Sequence, residues 1–225
     1  DYTKGDPLKV VLEKGVHETV GDQYGRMNVT CSHITFVGRG KDYTTIRGGI
    51  QVENQQNVKF EELAITNQSG NGYGLTLKGS ETNVDVLKCA FKECKYDGMN
   101  VFRGATFTAT ECEFVKNGVH GLYCGSDATA RLNDCTMKHN GGDGLAAYRG
   151  AVVDLHGSKT DIHSNIDCGI SAGDRGKVNI HLPSQHNTAH DNKRDRFQES
   201  SGSIANINTD GTFTHVVVDD DEDDL

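Results

Sequence analysis

Three residues of this sequence combine a type and a spacing that can move protons. Asp97, His120 and Asp143 stand 23 residues apart, each directly before a glycine, in "YDGMNVF", "VHGLYCG" and "GDGLAAY". Stacked side by side, an imidazole between two carboxylates is a general acid–base cluster, because a neighbouring carboxylate tunes the ring toward neutral pH. Arg103 and Arg149 follow two of these steps and offer cations to a substrate carboxylate. The plainer reading of the same residues is a row of polar turns, since Asp, His and Gly fill turns for backbone reasons.

Whether the three residues meet depends on the element that carries them. Gly49, Gly74, Gly98, Gly121, Gly144 and Gly169 recur at intervals of 25, 24, 23, 23 and 25 residues. An apolar residue follows each glycine and a second apolar or small one comes two positions later, as in Leu75/Leu77, Met99/Val101 and Leu122/Cys124. That alternation predicts a short strand with one face inward. Two further alternating pairs fill each period, for example Phe107/Ala109 and Cys112/Phe114. Three short strands per coil of about 23–25 residues predict an all-β fold, a single-stranded right-handed parallel β-helix, in which equivalent residues stack coil on coil. Asn67, Asn117, Asn140 and Asn165 then form a corner ladder. No window holds the i, i+3, i+4 pattern of a helical solenoid.

The same register places Cys89, Cys112 and Cys135 in one inward ladder and Cys124 in another, as small core hydrophobes. Cys94 and Cys168 fall at turns and are expected to be exposed. Residues 1–30 are expected to cap the stack, 31–205 to form the β-helix, and 206–225 to supply a last strand and an acidic tail. Residues 219–224 carry six of the nine net negative charges. The remainder is mixed in sign, so no basic stripe for nucleic acid is present. No apolar run approaches a membrane span, so no membrane partner is expected. No cofactor is implied. His181, His186, His190 and Asp191 crowd in "HLPSQHNTAHDN" as weak metal-ligand candidates against a polar capping loop. Oligomeric state and compartment are not readable.

The coil pattern over roughly residues 30–205 resembles the right-handed parallel β-helix repeat family of pectate lyases, polygalacturonases, alginate epimerases and phage tailspikes. "GAVVDLHG", "DIHSN" and "IHLPSQHNTAHDN" are similar to β-helix repeat proteins of algae and large algal viruses. The resemblance implies that a ligand lies on the outer face of the strand after the glycine step. There Lys78, Asn100, Phe102, Tyr123 and Tyr148 would touch a glycan, the aromatic rings stacking on sugars and Arg103 and Arg149 pairing with uronates. The Asp-Asp with Gly-His-Gly of polygalacturonases, the Asp-Pro-His-Glu of alginate epimerases and the Arg-x-Pro-x-x-Arg of pectate lyases are missing. The reading that follows is a non-catalytic rigid scaffold presenting a ligand- or protein-binding face, carbohydrate among the candidates. A lyase or epimerase on uronate-containing glycan is the alternative, and a structural module of a larger assembly is the third.

Overall fold

The computed structural model describes residues 2–21, 25–70, 72–181, 188–199, 201–216 and 218–219. Among these the chain is all strand and turn, wound into three sheets of ten, eight and eight strands, parallel but for the last strand of the first. Each coil contributes one strand to each sheet. Coil five, for example, is Thr106–Thr110 in the first sheet, Glu113–Val115 in the second and Leu122–Cys124 in the third. Every one of these pairs with its equivalent 23 residues on: Phe107 with Ala130, Phe114 with Met137, Tyr123 with Ala146. The glycine period therefore is the coil period, and eight coils are stacked.

The core is the set of inward ladders. Phe60, Phe91, Phe114, Leu75, Met99, Leu122, Leu132 and Met137 are fully buried. Aromatic rings stack at the coil spacing, with centroids 5.2 Å apart for Phe36 and Phe60 and 5.1 Å for Phe91 and Phe114. Cys89, Cys112 and Cys135 are buried as expected, each thiol donating to the carbonyl two residues back. Corners turn through the left-handed region at Lys88, Glu111 and Asp134, and at Glu93, Lys116, His139 and Ser164.

A buried asparagine ladder holds the corner before the third sheet. Asn140 Oδ1 accepts from the Asn117 backbone N–H at 3.1 Å and from Asn117 Nδ2 at 3.0 Å. Its own Nδ2 donates to Phe114 O and to Asn165 Oδ1. The ladder runs on to Asn192, which accepts from Asn165. Cys94 occupies the same row, and its N–H donates to Asn117 Oδ1. A Cβ on Gly121 would lie 2.7 Å from Gly144 O and 2.9 Å from Asn140 Nδ2, so the glycine is required by the closeness of this ladder.

Three expectations are corrected. Residues 1–30 are not a cap: Leu8–Val11, Gly15–Glu18 and Arg26–Val29 pair in parallel with the next strands and form the first coil. Their alternation is hard to read because the coil has a neighbour on one side only, so Leu8, Val10 and Met27 are only half-buried. Cys94 and Cys168 are buried, because the turn residue of one coil lies beneath that of the next; a Cβ on Gly74 would lie 2.8 Å from the Cys94 sulfur. The boundary drawn at 206 falls inside Ser203–Ile207, which continues the first sheet; Phe213–His215 then folds back antiparallel on it. Residues 220–225 of the acidic tail lie outside the described residues.

Candidate functional site

The coil period does bring Asp97, His120 and Asp143 together on consecutive coils, and their contacts give the row a definite role. Asp97 Oδ1 accepts the His120 backbone N–H at 3.1 Å. His120 Nδ1 accepts the Asp143 backbone N–H at 3.1 Å, and Asp143 Oδ1 accepts that of Cys168 at 3.0 Å. Each side chain therefore satisfies the turn of the following coil. Histidine replaces aspartate at the middle position because Nδ1 offers the same acceptor. With Nδ1 accepting, the neutral ring carries its proton on Nε2. The second carboxylate oxygens are also engaged: Asp97 Oδ2 accepts from Asn100 Nδ2, and Asp143 Oδ2 from Ser171 Oγ at 2.6 Å. Both aspartates are buried. Burial raises the Asp97 carboxyl above its ordinary range, with the His120 ring and N–H and the Asn100 amide pulling the other way.

Beside this row the outer face of the third sheet holds a groove of about 440 Å³ lined by Arg26, Gln51, Tyr73, Thr76, Lys78, Asn100, Phe102 and Arg103. Four of the residues singled out in the sequence, Lys78, Asn100, Phe102 and Arg103, line it. Arg103 lies over the Phe102 ring at 5.8 Å, and Lys78 forms an ion pair with Glu53 at 2.5 Å. Arg26 Nη1 bonds Gln51 Oε1 at 2.6 Å. Thr76 is buried on the groove floor, and its hydroxyl has no hydrogen-bond partner among the described residues. Tyr123 and Tyr148 extend the aromatic surface along the axis, their rings parallel at 6.4 Å, and His120 stacks on Tyr123 at 5.9 Å. Burial pushes the Tyr148 phenol up to about 12, so it stays a neutral hydrogen-bonding platform. Arg149 stands at an exposed corner near Tyr123 and does not line the groove.

Arg26 and Tyr73 were missed. Arg26 belongs to the strand "RMNV", which pairs with "GIQV" 23 residues later, a match hidden by reading the first coil as a cap. Tyr73 precedes Gly74 and so occupies the same coil position as Asp97 and His120. Ser171 and Ala146 alternate with the inward residues of their strands, yet both are buried. The period-2 alternation places them on the outer face but does not reveal what leans over it.

The weak metal candidates separate. His181 is in the first sheet, its Nε2 2.8 Å from Asp154 Oδ1; His190 is in the second, between Asp191 at 2.8 Å and Asp161 at 2.9 Å. His186 lies outside the described residues. Among the described residues, Asp143, Asp167 and Cys168 bring donor atoms within 4.8 Å of one another. Both Asp143 oxygens already accept a hydrogen bond, Arg194 places its cation 3.2 Å from Asp167, and burial pushes the Cys168 thiol up to about 12. The trio is a hydrogen-bonded turn and not a ligand set.

The histidines instead stack. His156 and His181 lie 4.0 Å apart, and His163 and His190 5.1 Å apart with rings nearly parallel. Burial lowers the His156 and His163 imidazoles below 6.5. A group lowered in the fold contributes fully above its unfolded value and loses that contribution as the pH falls. His190 is raised by its bond to Asp191 and runs in the opposite sense, but it is half exposed and screened. The thermal midpoint should therefore drop between about pH 7.5 and about pH 5.5, with part of the drop removed in His156→Gln. Calorimetric melts at both pH values check this, and an unchanged midpoint contradicts it.

The sequence matches the family model described as right-handed beta helix region over residues 23–189. No protein with a curated description matches the chain in sequence. Among solved structures, pectin methylesterase PemA from Erwinia chrysanthemi is similar with a TM-score of 0.64 at 12% identity, covering 95% of this chain and 77% of that one. A pectin methylesterase from Yersinia enterocolitica gives 0.55 at 11% identity, covering 92% and 80%. ORF18 of Geobacillus virus E2 gives 0.51 at 15%, covering 79% of this chain and 46% of that one. At these identities the likeness shows the fold alone.

Proposed function

The chain belongs to the right-handed β-helix family, and on that premise we propose that it is a non-catalytic scaffold whose third-sheet groove binds an acidic glycan. The observation that carries the reading is the groove itself. Arg26, Lys78 and Arg103 supply cations, Tyr73 and Phe102 supply rings, and the Thr76 hydroxyl on the floor has no partner among the described residues. A buried polar atom without a partner calls for an explanation, and a ligand hydroxyl supplies one. Lys78 shares its charge with Glu53, so Arg103, exposed at the rim, is the main contact for a carboxylate. The non-catalytic part rests on the acid–base row. Its carboxylates are engaged in coil-to-coil bonds, and the one lone pair of the neutral His120 ring, on Nδ1, is held by the Asp143 N–H and not left free for a substrate proton.

Two of the similar structures are pectin methylesterases, so a pectin-derived oligogalacturonate is the probe of choice. Calorimetric titration should give saturable binding to the wild type, about tenfold weaker binding to Arg103→Ala, and none for a neutral gluco-oligosaccharide of equal length. Absence of saturable heat overturns the binding reading. Shortening or epimerisation of the oligosaccharide replaces the scaffold with the lyase or epimerase alternative.

A further inference from the structure

We propose that His120 is a proton-operated latch on the aromatic side of the groove. In the structure Nδ1 must carry a lone pair, because it accepts the Asp143 backbone N–H. A protonated ring has N–H at both nitrogens and accepts nothing. Protonation thus turns this contact into two donors facing each other. An acceptor for the new N–H stands close by: Asp143 Oδ2 is 3.6 Å from Nδ1. Moving onto it gives a charge-assisted bond and releases the Asp143 N–H.

The groups that face the ring favour such a move. Asp97, on the preceding coil, accepts the His120 backbone N–H and acts on the ring by its charge, Asp143 approaches the ring from the following coil, and Tyr123 lies against it on its own coil. The Asp97 charge also acts on Tyr73, and that of Arg149 on Tyr123. Two carboxylates therefore act on the ring, Asp143 at 3.6 Å from Nδ1 and Asp97 through its charge. The ring cannot shift toward Asp143 without changing its 5.9 Å stack on Tyr123, which in turn lies parallel to Tyr148. The proton therefore acts on the surface where a sugar would lie. The effect on ligand affinity rests on the glycan-binding reading; the change in hydrogen bonding does not.

Nitrogen-15 NMR of the histidine rings and backbone separates the two. The neutral His120 ring should be the Nε2–H tautomer, and the Asp143 amide should titrate with the same midpoint as the ring. In His120→Asn, whose Oδ1 takes the place of Nδ1 but binds no proton, the Asp143 amide should stay fixed over the same range. A neutral Nδ1–H tautomer, or an Asp143 amide that ignores the titration of the ring, overturns the latch. Wild-type affinity for oligogalacturonate should fall several-fold from about pH 8 to about pH 5 while that of His120→Asn does not. Parallel falls in both overturn the control of binding. Absence of binding at every pH overturns the glycan reading alone, and the ring tautomer and the Asp143 amide still decide the latch.

Discussion

Replacing Asn140 by alanine is expected to lower the unfolding free energy by about 3–4 kcal/mol. Asn140 is fully buried and uses both ends of its amide. Its Oδ1 is the acceptor for the Asn117 N–H, which has no water to turn to once the oxygen is gone. The Asn117 amide, Phe114 O and Asn165 Oδ1 each lose one partner as well. One orphaned buried donor costs about 1–3 kcal/mol, and the lost bonds add about 1 kcal/mol each, less whatever local relaxation recovers. Because each coil touches only its neighbours, the damage falls on the contacts of coil six with coils five and seven, among which His120, Tyr123 and Asp143 stand. Urea unfolding followed by circular dichroism measures the loss, and a change below about 1 kcal/mol contradicts the ladder's role.

Phe114→Ala acts on the adjoining coil five and is expected to cost about 3–5 kcal/mol. The ring is fully buried and stacks on Phe91 at 5.1 Å. Its Cβ lies 3.1 Å from where a Cβ on Gly121 would stand, directly behind the step that starts the Tyr123 strand. Removing the ring leaves a cavity in a narrow core whose backbone is fixed by ladders above and below, so little collapse is available to fill it. Phe114→Leu, which keeps most of the volume, should recover more than half of the loss, and the same denaturation series checks both variants.

The period of glycines, the inward ladders and the asparagine corner were legible in the sequence because stacking repeats one residue type at one position. Gly98, Gly121 and Gly144 mark the coil length by their spacing alone. What repetition does not reveal is how neighbouring positions use each other. Asp97, His120 and Asp143 differ in type yet do the same work, each accepting the next coil's N–H, so a row that looked like a catalytic cluster holds turns. Arg26 and Tyr73 escaped notice for the converse reason. The first coil has a partner on one side only and buries its apolar residues incompletely, so "RMNV" does not advertise itself as the equivalent of "GIQV". Cys94 and Cys168 escaped because burial at a corner depends on the coil above and not on local alternation.

Everything proposed for the groove depends on where a ligand sits. The most direct measurement is a map of backbone amide shifts on adding oligogalacturonate to the labelled wild-type protein. The shifts are predicted to concentrate on the third-sheet strands Gly49–Glu53, Leu75–Lys78, Met99–Phe102 and Leu122–Cys124, with the first and second sheets still. Shifts confined to the outer faces of the other two sheets, or none at saturating ligand, would contradict it.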